Sequence, residues 1–361
     1  MINEEEVKPQ EESIDEENEL YENHRIVVDK GQSLLRIDKF LMARLEDVSR
    51  NKIQNAAKAD CILVNDKPIK PNYRVKPNDV ISILLTSPPR EIVIIPQDLP
   101  LTIVYEDNDV IIVNKNPGMV VHPGYGNYTG TLLNALMFHF QDQKSPTGEP
   151  VLPYLVHRID KDTSGLLLVA KNEIAQTKLA KQFYDHTVDR KYHALVWGDF
   201  LEDSGTITGN IGRSLKDRKV MTVFPNGDYG KHAVTHHRVV ERFGYITLVE
   251  CQLETGRTHQ IRAHMRWIGH PLFNDATYGG HLILKGNTTT KYKQYITNCF
   301  QMLPRQALHA LSLGFTHPTT GKRMHFESEL LKDMADVVEK WRKYTSFNRL
   351  EEDAELDYSD L

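Results

Sequence analysis

Cysteine is scarce in this chain of 361 residues, and Cys61, Cys251 and Cys299 stand far apart in the sequence. Without paired spacing they indicate neither a disulfide framework nor a cysteine-based zinc site, which favours a reducing compartment. The apolar runs are also short, and none approaches the roughly twenty residues of a membrane span. The acidic N-terminus lacks the basic and apolar stretches of a secretory signal. We therefore expect a cytoplasmic protein with no membrane partner.

Positive charge is missing from both ends of the chain. Residues 1–24 contain ten acidic residues and one basic residue, and residues 348–361 contain six acidic residues and one basic residue. Because the net charge of the whole chain is −5, residues 25–347 carry an excess of nine basic side chains. Both ends are poor in apolar residues and are interpreted as disordered acidic tails. The basic body suits a polyanionic partner such as nucleic acid, although a solvated basic surface is the alternative.

Motifs for nucleotide-driven and metal-dependent chemistry are absent as well. There is no GxxxxGK[ST] loop, and none of the candidate histidines falls into an HExxH motif. Cysteines that could complete a metal site are also lacking. We interpret five candidate histidines as structural or RNA-contacting side chains: His259, His264, His270, His309 and His317.

Residues 34–88 form a first predicted unit, a small domain with a basic surface. Apolar side chains between residues 35 and 45 have the spacing of one helix face, and two strands are expected near residues 61–64 and 80–83. Arg44, Arg50 and Lys52 cluster around the junction of two short helices, where they could meet a phosphate backbone.

A larger domain is predicted for residues 96–345, after a linker marked by the sequence SPPR at residues 87–90. Its helices and strands interleave without the regular alternation of a doubly wound sheet, so a mixed α+β domain is expected. The predicted helices are 132–140 and 175–185, and the predicted strands are 101–105, 110–114, 192–197, 235–240 and 246–254.

A polar loop at residues 157–165, HRIDKDTSG, leads directly into an apolar run that is predicted to be a buried strand. A polar loop fixed to the end of a buried strand is a usual place for a reactive group. Asp160 and Asp162 are two residues apart and could form an acid/base pair in an extended loop. On spacing alone, a surface loop with solvated carboxylates explains the pattern as well. Gly165 would let the backbone turn into the strand.

A second polar cluster, TGRTHQIRAH, occupies residues 255–264 after a predicted strand. A helix is expected to begin near His259. An arginine of this cluster could make a bidentate pair with a carboxylate and hold it in one orientation. The cluster therefore offers a partner for an aspartate of the 157–165 loop.

These runs resemble the signature of the RluA family of pseudouridine synthases. The loop at residues 157–165 and the cluster at residues 255–264 match, and so do further runs in the expected order. Residues 34–88 are similar to an S4 RNA-binding domain, which points to the family branch that modifies large-subunit ribosomal RNA. The further matching runs are NKNPGM at 114–119, VHPG at 121–124, RKYHALVWG at 190–198, GHPL at 269–272, LHA at 308–310 and FTHP at 315–318.

The resemblance implies roles for individual residues. Asp160 would act on the target uridine, Tyr192 would stack on its base, and Arg262 would pair with Asp160. Ile261 would pack beside the site, and RNA contacts would come from Arg158, from His157 and from the basic residues of the first unit. No metal or organic cofactor is implied. The partner would be RNA, either large-subunit ribosomal RNA or a ribosomal precursor particle, and nothing in the sequence demands more than a monomer.

Three departures from the family pattern and two rival functions accompany this interpretation. Ile159 stands where leucine is usual, and residues 328–333 lack the usual ending that contains proline. Asn274 stands where glycine is common, but asparagine tolerates a left-handed backbone, so the turn could survive. A catalytically inactive RNA-binding protein is one rival, and the retention of all three proposed active-site residues counts against it. A glycoside hydrolase that uses Asp160 and Asp162 is the other, and the basic body suits RNA better than a neutral sugar.

Overall fold

The computed structural model describes residues 21–45, 48, 50–85, 94–124, 127–146, 148–214, 217 and 220–359. The chain divides into two compact units, Met1–Val93 and Ile94–Leu361. Most of the expected N-terminal acidic tail and the expected linker at residues 87–90 lie outside the described residues. Within the described part, no helix has both the length and the apolar character that crossing a membrane requires.

The first unit combines two short helices with short antiparallel strands. Its sheet has the order β1-β6-β3-β4, and β2 pairs with β5. The elements are β1 Tyr21–Val27, β2 Leu35–Arg36, α1 Ile37–Met42, α2 Arg50–Lys58, β3 Ile62–Val64, β4 Lys67–Pro68, β5 Arg74–Val75 and β6 Val80–Leu85.

The predicted apolar face of the first helix is buried in the core of this unit. Ile37, Phe40 and Leu41 are fully buried and pack with Ile53 of α2. Asp38 lies on the same short helix and is also fully buried, but it accepts two hydrogen bonds from Arg36, at 2.9 and 3.2 Å. A buried carboxylate is tolerated because such pairs and hydrogen bonds compensate its charge.

The second unit is built on one ten-stranded mixed sheet with helices packed against it. The strands of this unit are β7 Ile103–Glu106, β8 Val110–Lys115, β9 Tyr154–Leu155, β10 Ser164–Ala170, β11 Asp189–Trp197, β12 Ser204–Thr208, β13 Asn210–Arg213, β14 Met221–Phe224, β15 Val234–Arg242, β16 Ile246–Leu253, β17 Leu308–Thr316 and β18 Arg323–Glu327. All of these strands except β13 and β14 belong to the sheet. The helices are α3 Leu132–Phe140, α4 Glu173–Tyr184, α5 Gln260–Trp267, α6 Thr290–Met302 and α7 Lys332–Ser359.

The sheet order is β12-β15-β16-β11-β17-β10-β8-β7, with β18 on β17 and β9 on β10. Its strand pairs are antiparallel except for β10 with β17, which run parallel. β13 and β14 form a separate hairpin. The expected mixed α+β domain is therefore confirmed, and its sheet is mainly antiparallel.

β10 carries the polar loop that the sequence singled out. All seven residues of this strand are buried, because apolar layers cover both faces of the sheet here. Leu167 and Val169 belong to one buried cluster, and Leu166 and Leu168 belong to the cluster on the other face. The apolar run is thus a central strand, and the loop before it starts from a rigid base.

The C-terminal region differs from the prediction. Residues 348–359 continue α7 as a helix, where the sequence was interpreted as a disordered tail. The residues after position 348 contain no glycine or proline, and leucine, alanine and glutamate favour helix. Earlier in α7, the side chains of Met334, Val337 and Trp341 are fully buried and provide a packed start from which the helix propagates.

We expect Gly165→Ala to destabilise the protein by at least ~3 kcal/mol, because overpacking and an unfavourable backbone conformation would act together. Gly165 has a φ of +109°, and a β-carbon at this position would lie 2.2 Å from the carbonyl oxygen of Ala310. Urea unfolding measures the loss. Gly244→Ala is the matched control, because Gly244 also has a positive φ, +78°, but has open space around it. Equal losses in both variants would contradict the proposed steric role of the close approach.

Candidate active site

A cavity of about 640 Å³ lies at the N-terminal end of β10 and beside β11 and α5. The loop before β10, the C-terminal end of α4 and the turn before α5 contribute to its walls. Its lining includes every residue for which the family resemblance implied a role in the catalytic domain: His157, Arg158, Asp160, Tyr192, Ile261 and Arg262. The two polar clusters of the sequence are therefore brought together at one place.

Asp160 is held by a buried arginine that a second carboxylate also binds. Nη1 of Arg262 donates to Oδ2 of Asp160 at 3.0 Å. Nε and Nη2 of Arg262 donate to the two carboxylate oxygens of Asp275 at 2.7 and 2.9 Å. Burial opposes the charge of Arg262, but these two carboxylates outweigh that effect and raise its pKa. The guanidinium is thus permanently charged and fixed in orientation.

Asp275 receives its own orientation from the backbone of the turn that follows it. Its Oδ1 accepts hydrogen bonds from the amides of Thr277 and Tyr278 at 3.0 and 3.2 Å. Asn274, just before it, has a φ of 57°, so the expectation that asparagine adopts the left-handed turn is confirmed. The cluster at residues 255–264 offered an arginine as a partner for an aspartate of the 157–165 loop, and the family resemblance implied Arg262 and Asp160. Neither indicated that Asp275 binds the other two nitrogens of Arg262.

The loop that carries Asp160 is fixed by a buried lysine. Nζ of Lys115 donates to the carbonyl oxygens of Asn116, Met119 and Lys161 at 2.8 to 2.9 Å. Burial lowers the pKa of Lys115 to about 7, although nearby carboxylates oppose this shift. The amide of Gly118 also donates to the Lys161 carbonyl, at 2.9 Å. These bonds fix the backbone directly after Asp160.

Asp162 does not line the cavity. Its carbonyl oxygen accepts a hydrogen bond from Arg305 at 3.1 Å, on the side of the loop that faces β17. The two carboxylates therefore do not form a pair in the cavity, and the geometry gives no support to a glycoside hydrolase with these two acids.

Aromatic and apolar side chains complete the floor of the cavity. Tyr192 on β11 is 7% exposed, and burial, together with the charge of Asp160, raises its pKa. Ile261 on α5 is also buried. Arg158 is exposed at the rim, so it is available to a bound polyanion. The arrangement offers a carboxylate beside an aromatic ring, with cations around them.

His259 lines the cavity near Asp160 and is backed by Tyr278, which lies outside the cavity lining. Nδ1 of His259 lies 3.0 Å from the hydroxyl of Tyr278, and its Nε2 lies 4.0 Å from Oδ2 of Asp160. Burial lowers the pKa of His259, although the charge of Asp160 opposes this shift. The Tyr278 ring lies beneath the Arg262 guanidinium at 5.1 Å, which adds a cation–π contact.

Among the described residues, one group of metal-ligating side chains clusters, namely Asp107, Asp109 and His317. Nδ1 of His317 accepts hydrogen bonds from the amides of Thr319 and Thr320, at 3.2 and 3.0 Å. The proton of the neutral ring must then sit on Nε2, where it is donated to Asp107 at 2.9 Å. The nitrogen that would bind a metal is therefore occupied by a proton, and the group is structural.

In the first unit, two of the predicted RNA-contacting arginines have partners within the unit. Nε of Arg50 donates to the buried Asp38 at 2.9 Å, while about half of its side chain stays exposed. The guanidinium of Arg44 lies 3.8 Å from the centre of the Phe40 ring. The side chain of Lys52 lies outside the described residues. Arg50 thus stabilises the junction of α1 and α2 as well as presenting a positive charge.

Comparisons with known proteins show the family to which the two units belong. The RNA pseudouridylate synthase family matches residues 109–267, and the S4 domain family matches residues 35–81. An uncharacterized RNA pseudouridine synthase of Chlorobaculum parvum is 46% identical over 317 residues, covering 87% of this chain and 96% of that protein. The RNA pseudouridine synthase YlyB of Bacillus subtilis is 46% identical over 318 residues, covering 88% and 98%. The ribosomal large subunit pseudouridine synthase D of Zymomonas mobilis is 41% identical over 305 residues, covering 83% and 91%.

This chain belongs to the RluA family of RNA pseudouridine synthases. The N-terminal unit is accordingly an S4 domain, and the ten-stranded sheet with its helices is the synthase domain.

We expect Asp275→Asn to lower the rate of pseudouridine formation by ~10²-fold, because Arg262 would no longer be held in place for Asp160. Loss of one charge from this buried group should also cost about 3 kcal/mol of stability. Single-turnover rates and thermal unfolding measure the two effects. Glu241→Gln is the control, since Glu241 also pairs with an arginine, Arg342, and neither of these residues lines the cavity. An equal rate loss in both variants would contradict the orienting role of Asp275.

The stability of the synthase should fall as the pH decreases from about 6.5 to about 4. Burial lowers the pKa of His157 to about 3 and those of His264 and His309 to about 4. Since an unfolded histidine has a pKa of about 6.5, the unfolded chain takes up protons in this window that the folded chain refuses. Urea unfolding between pH 7 and 4 measures the effect. His264→Gln should reduce the slope of the unfolding free energy against pH by the equivalent of up to one bound proton. His281→Gln, which replaces an exposed histidine, should leave this slope unchanged.

Proposed function

We propose that this synthase isomerises uridines of large-subunit ribosomal RNA and that Asp160 acts on the target nucleotide. The RNA class is supported by the relatives named ribosomal large subunit pseudouridine synthase D, which are 37–41% identical to this chain in four bacteria: Zymomonas mobilis, Vibrio cholerae, Neisseria meningitidis and Haemophilus influenzae. The same proposal places its action in the cytoplasm, where such RNA is matured.

The observation that carries the role of Asp160 is the position of its carboxylate. Among the described residues that line the cavity, Asp160 is the one with a carboxylate, and the Arg262 guanidinium fixes it at 3.0 Å. Tyr192 lies in the same cavity and offers an aromatic ring for the uracil base. A uridine inside a folded RNA reaches such a cavity only after it has been flipped out, which costs a few kcal/mol of unstacking.

The reaction itself needs no co-reactant. Pseudouridine has the same atoms as uridine: the bond between N1 and the sugar breaks, the base rotates, and a new bond forms from carbon 5. Carbon 5 then loses its proton and N1 takes one up, so atoms and charge balance. Nothing is oxidised or reduced, so a carboxylate and a site that retains the detached base suffice. Arg262 orients the carboxylate, and Tyr192 and Ile261 confine the base while it turns.

The S4 domain supplies RNA affinity in this proposal. The side chains of Arg44 and Arg50 are 33% and 49% exposed, so both offer charge to a phosphate backbone although each also binds within the domain. Arg158, at the rim of the cavity, would contact the RNA at the position that the target nucleotide leaves when it is flipped out.

We expect Asp160→Asn to reduce pseudouridine formation by ~10³-fold or more, because the variant keeps the shape of the side chain and loses the carboxylate. The measurement is mapping of pseudouridine in unmodified large-subunit ribosomal RNA after incubation with the purified protein. Asp162→Asn is the matched control, since it lies in the same loop and outside the cavity lining.

Two outcomes would overturn the proposal in different ways. Conversion that persists in Asp160→Asn would remove this residue from its role. No conversion of large-subunit ribosomal RNA by the unsubstituted protein would refute the proposed substrate.

A further inference from the structure

Arg190 is a buried cation in the wall of the active-site cavity that has no role in the chemistry described above. It precedes Tyr192 by two residues on β11, and both side chains line the cavity. Both are only 7% exposed. Along a strand, two residues correspond to about 7 Å, so the guanidinium lies close to the ring on which the base would stack.

Arg190 lacks the carboxylate partner that a buried arginine normally has. Among the described residues, no carboxylate lies within ion-pair distance of it, and its Nε has no hydrogen-bond partner. Its contacts are a hydrogen bond of 3.4 Å from Nη2 to the carbonyl oxygen of Glu254 and the ring of Phe183 at 5.3 Å. By contrast, Arg262 binds two carboxylates. A buried guanidinium without an anion is costly unless a ligand supplies the anion.

The space beside Nη1 of Arg190 is kept open by a glycine. A β-carbon on Gly256 would lie 2.7 Å from this nitrogen, and Gly256 itself lines the cavity. The backbone of Gly256 does not require glycine for its conformation, since its φ is not in the left-handed region. The absence of a side chain at Gly256 leaves room for the guanidinium of Arg190 in the cavity wall.

The surroundings of Arg190 contain a neutral ring and no competing anion. Nε2 of His157 accepts the amide proton of Leu168 at 2.9 Å, so the proton of this ring is on Nδ1. The His157 ring stacks on Phe183 at 4.7 Å, the same ring that Arg190 faces. The nearest cavity carboxylate, Asp160, is already bound by Arg262.

We propose that Arg190 binds a phosphate group that flanks the target uridine, and so fixes the sugar of that nucleotide relative to Asp160. The inference rests on the proposed function, since it takes the ligand to be a nucleotide of RNA. A guanidinium fork matches the oxygens of a phosphate, and RNA presents one phosphate on each side of every nucleotide. Arg190 and Tyr192 line the same cavity, so a base on Tyr192 and a phosphate on Arg190 could belong to one nucleotide.

The test compares uridine with uridine 5′-monophosphate and uridine 3′-monophosphate as ligands of the full chain, by saturation-transfer NMR titration. We expect one of the two monophosphates to bind about tenfold more tightly than uridine, as one charge-assisted hydrogen bond implies. The tighter isomer identifies which flanking phosphate is bound. Arg190→Met should abolish this preference.

Two further variants separate the phosphate contact from the fold and from overall charge. Gly256→Ala keeps the arginine but crowds Nη1, so the preference should shrink even if Arg190→Met fails to fold. Lys191→Met is the matched control: it removes the same charge from the next position, where the lysine pairs with Glu250 at 3.3 Å and does not line the cavity. It should keep the full preference.

Equal affinity of the unsubstituted chain for uridine and both monophosphates would overturn the proposal. So would an equal loss of affinity for all three ligands in Arg190→Met, which would indicate a contact to the base or a purely structural role. No turnover is needed in this titration, so its outcome is independent of the ribosomal RNA assay. If the chain prefers a monophosphate but does not modify ribosomal RNA, the proposed role of Arg190 is supported and the proposed substrate is refuted.

Discussion

The active site depends on one arginine that is shared between two carboxylates. Asp275 is completely buried and binds two nitrogens of Arg262, which leaves the third nitrogen for Asp160. Each member fixes the next: backbone amides hold Asp275, Asp275 holds Arg262, and Arg262 holds Asp160. A charged group this deeply buried is stable only because every part of it has a partner. The orientation of the Asp160 carboxylate therefore depends on a backbone turn that binds Asp275 on the far side of the arginine.

The second constraint acts on the backbone rather than on the side chain. Lys115 donates hydrogen bonds to three carbonyl oxygens, one of them from Lys161, and so attaches the loop after Asp160 to the end of β8. β8 is the antiparallel neighbour of β10, whose first residues continue from the same loop. Asp160 is consequently held from both directions, by the sheet beneath its backbone and by α5 across the cavity. Such support is what positioning at a reacting atom demands.

The sequence predicts the parts of this arrangement better than their connections. Apolar patterns located the strands and helices around the site, and the motif order identified the family, because both are written in local sequence. Spacing leaves Asp160 and Asp162 equivalent, because the contact that distinguishes Asp160, its hydrogen bond from Arg262 in the cavity, joins residues that are far apart in the sequence. Asp275 was overlooked because its role follows from a contact across a turn. The low apolar content of residues 348–359 predicts disorder, but the structure continues α7 as a helix there. Helix propensity and the packed start of α7 favour the helix.

The two buried arginines of the cavity also show how charge is distributed for a polyanion. Arg262 is neutralised by protein carboxylates, so it orients Asp160 without attracting the RNA backbone to the reacting position. Arg190 has no such partner among the described residues, so its attraction remains available to a ligand. A carboxylate beside Arg190 would relieve the cost of its burial and would at the same time repel a phosphate. The fold therefore accepts one unfavourable charge in the wall of the cavity, and in our proposal that charge becomes favourable when a phosphate of the substrate lies against it.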